Sequence, residues 1–428
     1  IRLSLVGSEM CIRDSINDGS HVTLGTLPKR PISFGEGSDG SIYYLLQGDN
    51  VQLLRFIAPV LSSDAPQLLS ETGVFTDMDN LQVTNGFVPY ETIDAFWSDG
   101  AVKKRWMALP NDGTYDSEEE QIQYSENGNW IFPIGSVLVK HFDYPVNENN
   151  PDITIKIETR FSIKNSDDNW TFLSYRWNSA QTDAYLVNMT TGEERSIDIV
   201  KADGGTGTET WRYPSTNDCL NCHNESSQGT LGPRTRYLNS EYDYSTHING
   251  GLIANQLVTL SHLGILDEQI TDSDTQNYLT HTSIDDPNAT LVDKARSYLD
   301  LNCAYCHLPS NGLRAEFDLR LFNSLEETRL LTAGIGEVVE GIGADQKILY
   351  PGNAEKSHIF YRVNSTDSGI MMPPIAKNKI DEKGVALLQE WIDQLQIEPN
   401  TDTFNFPDSD INLALAEDAV LGGTVNGG

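Results

Sequence analysis

Two short stretches of the chain could do chemistry. Cys219-Leu-Asn-Cys222-His223 and Cys303-Ala-Tyr-Cys306-His307 repeat one pattern, C-x-x-C-H, and use four of the five cysteines in the sequence. The spacing sets two thiols about one helical turn apart, within reach of the two vinyl groups of a haem. The adjacent histidine then sits under the iron as proximal ligand. Zinc knuckles are a poorer match, because paired C-x-x-C motifs for zinc lie roughly 15–20 residues apart and need no histidine after each. A thioredoxin-like redox pair wants a βαβ context, which is missing. The pattern therefore points to two haem c groups. Cys219, Cys222, Cys303 and Cys306 are the expected covalent anchors, with His223 and His307 on the irons.

Each iron has a second face. After the second motif comes Gly369-Ile-Met371-Met372-Pro373-Pro374, a thioether on a proline-stiffened loop. Thioether ligation raises the potential and favours electron transfer. Met372 is the expected ligand, Met371 the alternative and His358 a competitor. No methionine lies between the two motifs, which leaves His247, His262 or His281 for the first haem. His262 is preferred because it sits beside the apolar face of an expected helix. The acidic pairs Asp77, Asp79 and Asp272, Asp274 hint at calcium but lack a complete EF-hand spacing, so they read as solvated loops. Lys103-Lys104-Arg105 is a rare basic patch, either a solvated strand edge or a partner for haem propionates.

The elements that must hold these residues divide in texture. Residues 65–215 are β-rich: Ile153, Ile155, Ile157, Thr159, Phe161 and Ile163 alternate with polar residues, the period-2 mark of a half-buried strand. A polar turn at 165–169 and the alternation Thr171, Leu173, Tyr175, Trp177 complete a hairpin, and Gly135–Phe142 supplies another strand. Six of the seven tryptophans fall between 97 and 211, enough for a sandwich-like core. From 215 onward helices are expected: one through GLIANQLVTLSHLGIL, one over Leu291–Asn302 running into CAYCH, and a last one capped by Asp381. Upstream, Ser41–Leu46 and Val51–Ile57 around Gly48-Asp49-Asn50 read as a β-hairpin.

At 428 residues the chain is long enough for two or three domains. With 29 basic against 62 acidic residues its formal net charge is -33. That surface repels phosphate backbones and anionic lipid, which excludes nucleic acid and favours a basic partner. No apolar run is long enough to span a membrane, and residues 1–12 lack the features of a signal peptide. The opening IRLSLVGSEMCIRDS resembles translated sequencing-adapter read-through, so residues 1–15, with Cys11, are set aside as a non-native tail.

Residues 68–398 resemble a family of dihaem c-type cytochromes of environmental bacteria. The resemblance rests on LSETGVF (69–75), WSDGAVKKRWMALP (97–110), FPIGSVLVKHF (132–142), IETRFSI (157–163), YRWNSAQTDA (175–184) and WRYPSTNDCLNCHN (211–224). NQLVTLSHLGIL (255–266), ARSYLDLNCAYCH (295–307), PGNAEKSHI (351–359) and MPP (372–374) continue it. The family carries a histidine where His262 stands. The stretch ISFGEGSDGSIYYLL…LLRFIAP is similar to the last blade of pyrroloquinoline-quinone (PQQ)-dependent sugar dehydrogenase propellers, to which some family members are fused. NLALAEDAVLGGTVNGG (412–428) faintly resembles the opening of a discoidin-like carbohydrate-binding module, with a plain linker as the other reading.

These resemblances imply a multidomain α+β chain. A propeller remnant (16–62) precedes a β-rich, sandwich-like domain (63–214). A first haem region (215–285), a mainly α-helical, class I-like cytochrome c domain (286–398) and a linker or further domain (399–428) follow. They imply an electron carrier with two haem c groups, placed downstream of a quinoprotein dehydrogenase whose PQQ lies in a missing upstream domain. A basic soluble or membrane-bound acceptor takes the electrons. Haem c is attached outside the cytoplasm, so the protein is expected to be periplasmic or extracellular, its signal peptide lying upstream of this fragment. Two alternatives stay open: a dihaem peroxidase-like enzyme with one open haem, and a binding or structural module in which the β domain is primary.

Overall fold

The structure is a computed structural model. It describes residues 65–245, 251–309, 315–343, 345–375 and 377–396, together with the backbone of six strands within residues 2–55. Those strands form two three-stranded antiparallel sheets. The first joins β1 (Arg2–Val6), β2 (Glu9–Arg13) and β3 (Val22–Thr26); the second joins β4 (Pro31–Glu36), β5 (Ile42–Leu46) and β6 (Leu53–Arg55). The expected upstream hairpin is the β5–β6 pair, with β4 added on its other side. The linker at 399–428 lies outside the described residues.

A small hairpin, β7 (Phe75–Asp77) with β8 (Gln82–Val83), leads into a six-stranded antiparallel sheet. In chain order its strands are β9 (Val88–Pro89), β10 (Val102–Ala108), β11 (Val137–Pro145), β12 (Thr154–Lys164), β13 (Trp170–Trp177) and β14 (Ala184–Leu186), each paired with the next. The expected 153–177 hairpin is β12–β13, with Lys164 opposite Trp170 across the turn.

The alternation in β12 does not mark a half-buried strand, because both faces of this sheet are covered. Trp106, Val139, Phe161 and Tyr175 pack on one side against Leu69, Val74 and Leu81. On the other side Phe142 and Phe172 meet the separate hairpin β15 (Glu193–Val200) and β16 (Thr206–Tyr213) through Ile197, Ile199 and Trp211. The partner layer is thus a two-stranded hairpin and loops, not a second full sheet.

After the sheet come α1 (Thr216–Cys222), α2 (Thr235–Leu238), the strand pair β17 (Glu241–Asp243) and β18 (Ile253–Asn255), and α3 (Gln256–His262). The helices α4 (Asp272–Thr275), α5 (Leu291–Cys303), α6 (His358–Val363) and α7 (Glu382–Gln394) complete the described chain. The expectation of a mainly α-helical cytochrome c region is overturned. Strand outweighs helix overall, 23% against 20%, and among the described residues after 215 only α5 and α7 reach 13 residues.

The reason is turn chemistry. The apolar pattern through 251–266 becomes a helix of seven residues because Gly264 adopts φ +78 two residues beyond its end. The Ile265 N–H then bonds back to Leu260 O at 3.0 Å, a left-handed stop that glycine accepts without strain. α7 forms as expected: the Asp381 carboxylate caps Gly384 N at 3.1 Å, and Val385, Leu388, Trp391 and Ile392 are buried.

One hydrophobic core crosses the boundaries expected at 214 and 285. It joins Tyr90, Phe96, Met107 and Leu138 to Tyr237, Leu257 and Leu260, and to Leu301 and Tyr305 at the end of α5. The sheet and both C-x-x-C-H motifs therefore share an interior.

Candidate haem-binding site

The first motif is α1 itself. Ser215 and Asp218 close a capping box, Ser215 Oγ accepting from Asp218 N at 3.2 Å and Asp218 Oδ2 from Ser215 N at 2.9 Å. Seven residues later the helix ends on His223, whose N–H bonds Cys219 O at 2.8 Å. Cys219 and Cys222, three apart, share one side of the helix.

The His223 ring is held from behind. Its Nδ1 lies 2.7 Å from Gly229 O, which fixes Nδ1 as the protonated nitrogen and leaves Nε2 to ligate. Gly229 suits this place: its φ is +74, and a Cβ here would run into the Trp170 indole. Trp170 Nε1 donates to the neighbouring Gln228 O at 3.0 Å, so the indole sets the loop that sets the histidine. Phe172 stands 4.8 Å from the imidazole, ring to ring. Burial pushes the imidazole down to about 4, so it is neutral and ligand-ready at pH 7. A cavity of about 1040 Å³ opens beside it, walled by Trp130, Phe132, Trp170, Phe172 and Met189.

The second motif ends α5, whose N-terminus is capped by Thr290 Oγ1 accepting from Asp293 N at 3.1 Å. The His307 N–H bonds Cys303 O at 2.9 Å, repeating the geometry of the first motif. Its ring stacks on Phe317 at 4.4 Å with the planes 8° apart, and burial lowers it to about 4. Its Nδ1 is buried without a hydrogen-bond partner among the described residues.

The Met371–Met372 loop is tied beside this motif by Arg362. The arginine donates to Ile370 O at 3.2 Å, and its carbonyl accepts from Met372 N at 2.9 Å. Its charge also acts on His307. Lys377 Nζ donates to Met372 O at 3.0 Å. Both methionines are half-buried.

The two motifs meet. Cys306 Sγ donates to Asn221 O at 3.7 Å, and the neighbouring Cys222 and Cys306 thiols act on each other, pushing Cys222 well up and Cys306 down. Burial pushes Cys219 and Cys303 up to about 12. The four thiols form no disulfide. Among the described residues no three His, Cys, Asp or Glu side chains gather as a metal-ion site.

The other expected residues divide clearly. His262 is exposed at the end of α3 and does not line the cavity. His281 is buried with Nε2 2.7 Å from Asp300 Oδ2, and the same carboxylate takes Arg236. His358 is engaged by Gln346 Oε1 at 2.5 Å, and His247 lies outside the described residues. Asp77 holds its own turn, accepting from Asp79 N at 2.8 Å, and Asp274 closes a capping box with Thr271. The basic patch splits by strand alternation: Lys103 and Arg105 are buried, while Lys104 is exposed and pairs with Asp143 at 3.6 Å.

Met189 is the residue that sequence reasoning missed. It precedes the first motif, whereas a ligand is sought after it. Its carbonyl accepts from Thr216 N at 2.8 Å, which ties it to the start of α1. No periodicity marks it; only the pairing of the 187–189 segment with α1 and β13 brings it to the cavity.

No family model, curated protein or solved structure matches the chain. No helix among the described residues is long and apolar enough to cross a membrane.

Proposed function

We propose that this chain binds two haem c groups and relays electrons singly between redox partners outside the cytoplasm. One observation carries the reading: both C-x-x-C-H motifs present a half-buried histidine that its surroundings keep neutral, and Cys306 of the second motif reaches Asn221 of the first. His223 is oriented by Gly229 and faces a cavity of macrocycle volume, which Leu220 and Asn224 line with it while Cys219 and Cys222 lie outside the lining. Bound haem supplies a reversible one-electron couple. The chain's own part is to anchor through the four cysteines, hold His223 and His307 neutral, and exclude water with Trp130, Trp170 and Phe172.

Met189 is the one thioether among the residues lining the cavity at His223, and it replaces the exposed His262 as the proposed second ligand of the first iron. Met372 keeps that role for the second. A quinone-cofactor dehydrogenase, releasing two electrons per turnover, is the proposed donor, and a basic protein the proposed acceptor. Expression in a periplasmic haem-maturation system, followed by haem-stained denaturing gels and intact mass, tests the core of the reading. Two covalent haems support it; none or one overturns it.

A further inference from the structure

Arg105 on β10 stands directly opposite Lys140 on β11, and Lys140 directly opposite Arg160 on β12. Because side chains alternate, all three share the face that carries Met107 and Leu138, away from Trp106, Val139 and Phe161. Lys103, two residues before Arg105, joins the row. Like charges placed opposite one another destabilise a sheet, and here they are also taken out of water: Lys103 is 6% and Arg105 4% exposed.

One buried carboxylate answers them. Glu158 takes the side-on fork of Arg160, with Nε at 2.6 Å and Nη2 at 2.8 Å, and fills its remaining lone pairs from Ser174 and Trp211. The same fork on Arg105, Nε and Nη2, is buried with no hydrogen-bond partner among the described residues. Lys103 Nζ donates to Ala101 O alone at 2.8 Å. Lys140 lies over the rings of Phe96 and Phe142 at 5.3 and 5.4 Å, which offsets only part of the loss of water. Asp99 and Asp381 act on Lys103, and Glu91 acts on Arg105, without hydrogen-bonding them. Asp99 is already bound by Asn378 and by Lys379 N. Burial and mutual repulsion push both lysines well below their usual range.

Buried polar groups in native proteins are satisfied, so this set calls for an anion. A cavity of about 310 Å³ opens on Lys103 and Arg105, lined otherwise by residues 91–97 and 100–102, with Glu91 and Asp94 the acidic members. The row also adjoins both motifs. The charges of Lys140 and Arg160 act on Cys222 and His223, and Phe96, under Lys140, packs on Tyr305 of the second motif at 6.2 Å.

We infer that Arg105, Lys103 and Lys140 form a carboxylate-binding site at the junction of the two C-x-x-C-H motifs. The Arg105 fork matches the two oxygens of a carboxylate, as the Arg160 fork already does with Glu158; Lys103 lines the same cavity and Lys140 stands opposite Arg105 on β11. The carboxylate has two possible sources, a haem propionate, in which case the site rests on the two-haem reading, or a small organic acid from solution.

The haem-loaded full chain decides between them. Resonance Raman spectra of wild type, Arg105→Gln and Lys140→Gln read the propionate bending bands, which move when hydrogen bonds to the propionates change. Calorimetric titration with acetate reads the solution source. Shifted bands in both variants assign the site to haem carboxylates. Unshifted bands, with saturable acetate binding that weakens at least tenfold in Arg105→Gln, assign it to a solution acid. Unmoved bands together with no saturable acetate binding overturn the inference. Arg105→Lys, which keeps the charge and removes the fork, gives the same readings should Arg105→Gln fail to fold. A wild-type chain without covalent haem ends the two-haem reading, while its acetate titration still tests this site.

Discussion

Cys306 Sγ donates to Asn221 O at 3.7 Å, next to Cys222, so the two C-x-x-C-H motifs touch although Cys222 ends α1 and Cys306 lies beyond the end of α5. Groups anchored at Cys222 and Cys306 would lie close together, so on the two-haem reading each would sense the other's charge, because the interior between them is apolar, with Tyr305, Phe96 and Leu301 in one core. A spectroelectrochemical titration of the haem-loaded chain should therefore show two interacting one-electron steps. Cys219→Ala with Cys222→Ala should leave one haem that titrates as a single step at a potential matching neither. Two steps that survive unchanged in that variant would count against the contact.

The methionines give the sharpest ligand test. Met189→Ala should remove the methionine-to-iron charge-transfer band of one haem and lower its potential, since thioether ligation favours the reduced iron. Met372→Ala should do the same to the other haem, and the double variant should lose both bands. His262→Ala should change neither spectrum, as the side chain is exposed at the end of α3. If the Met189→Ala spectrum is that of wild type while His262→Ala turns one haem high-spin, the assignment to Met189 is wrong.

Gly229 couples the loop to the ligand. A Cβ there meets Trp170 and the backbone needs φ +74, so Gly229→Ala should cost about 1–3 kcal/mol in backbone strain and more from the clash. Urea unfolding reads the loss. Because Gly229 O is the partner of His223 Nδ1, the first haem should also lose potential in any fraction that folds. A variant as stable as wild type, with the same potential, would show that the loop adapts.

Much of this was legible in the sequence, for identifiable reasons. The C-x-x-C-H motifs are local, and so are the Asp381 cap and the β12–β13 hairpin; each is fixed by neighbours within a few residues. What was not legible depends on distant pairing. The alternation in β12 gives no hint that the second face is also covered, because that cover comes from β15–β16 and from residues beyond 215. Helical periodicity overstates the helix through 251–266 because Gly264 stops the run early. Met189 reaches the His223 cavity only through the path of the chain after β14, and the basic row appears only once three strands are in register.

Buried ionisable groups set the acid limit. His141 and His281 are buried and both are lowered, chiefly by burial. The unfolded chain takes up their protons near pH 6.5 while the folded one resists, so stability should fall as pH drops below about 6.5. Asp300 runs the other way in cause and the same way in outcome. The charge of Arg236 and bonds from His281 and Arg236 hold it well below the usual carboxylate range despite burial. Its contribution is present above about pH 4 and is lost as pH falls towards its folded value. Thermal midpoints at pH 7.5 and 5 should show the fall, and His141→Gln should make it shallower. Asp300→Asn, which leaves Arg236 buried and unpaired, should cost about 3–5 kcal/mol at neutral pH.

The last prediction concerns the partner surface. The chain carries a formal net charge of -33, and part of its scarce positive charge is inside: Lys103, Arg105, Arg236, Arg296 and Lys377 are all buried. The face seen by a partner is therefore more acidic than the sum suggests. A basic redox protein should be steered to it, with an association rate that falls steeply as salt is added, because screening shortens the reach of the field to about 10 Å at 0.1 M. Stopped-flow oxidation of the reduced chain by a basic and by an acidic small cytochrome, at low and high ionic strength, makes the measurement. The basic acceptor should be faster at low salt by at least tenfold and lose that advantage at high salt. Equal rates at every ionic strength would mean that electrons leave through a patch the acidic surface does not govern.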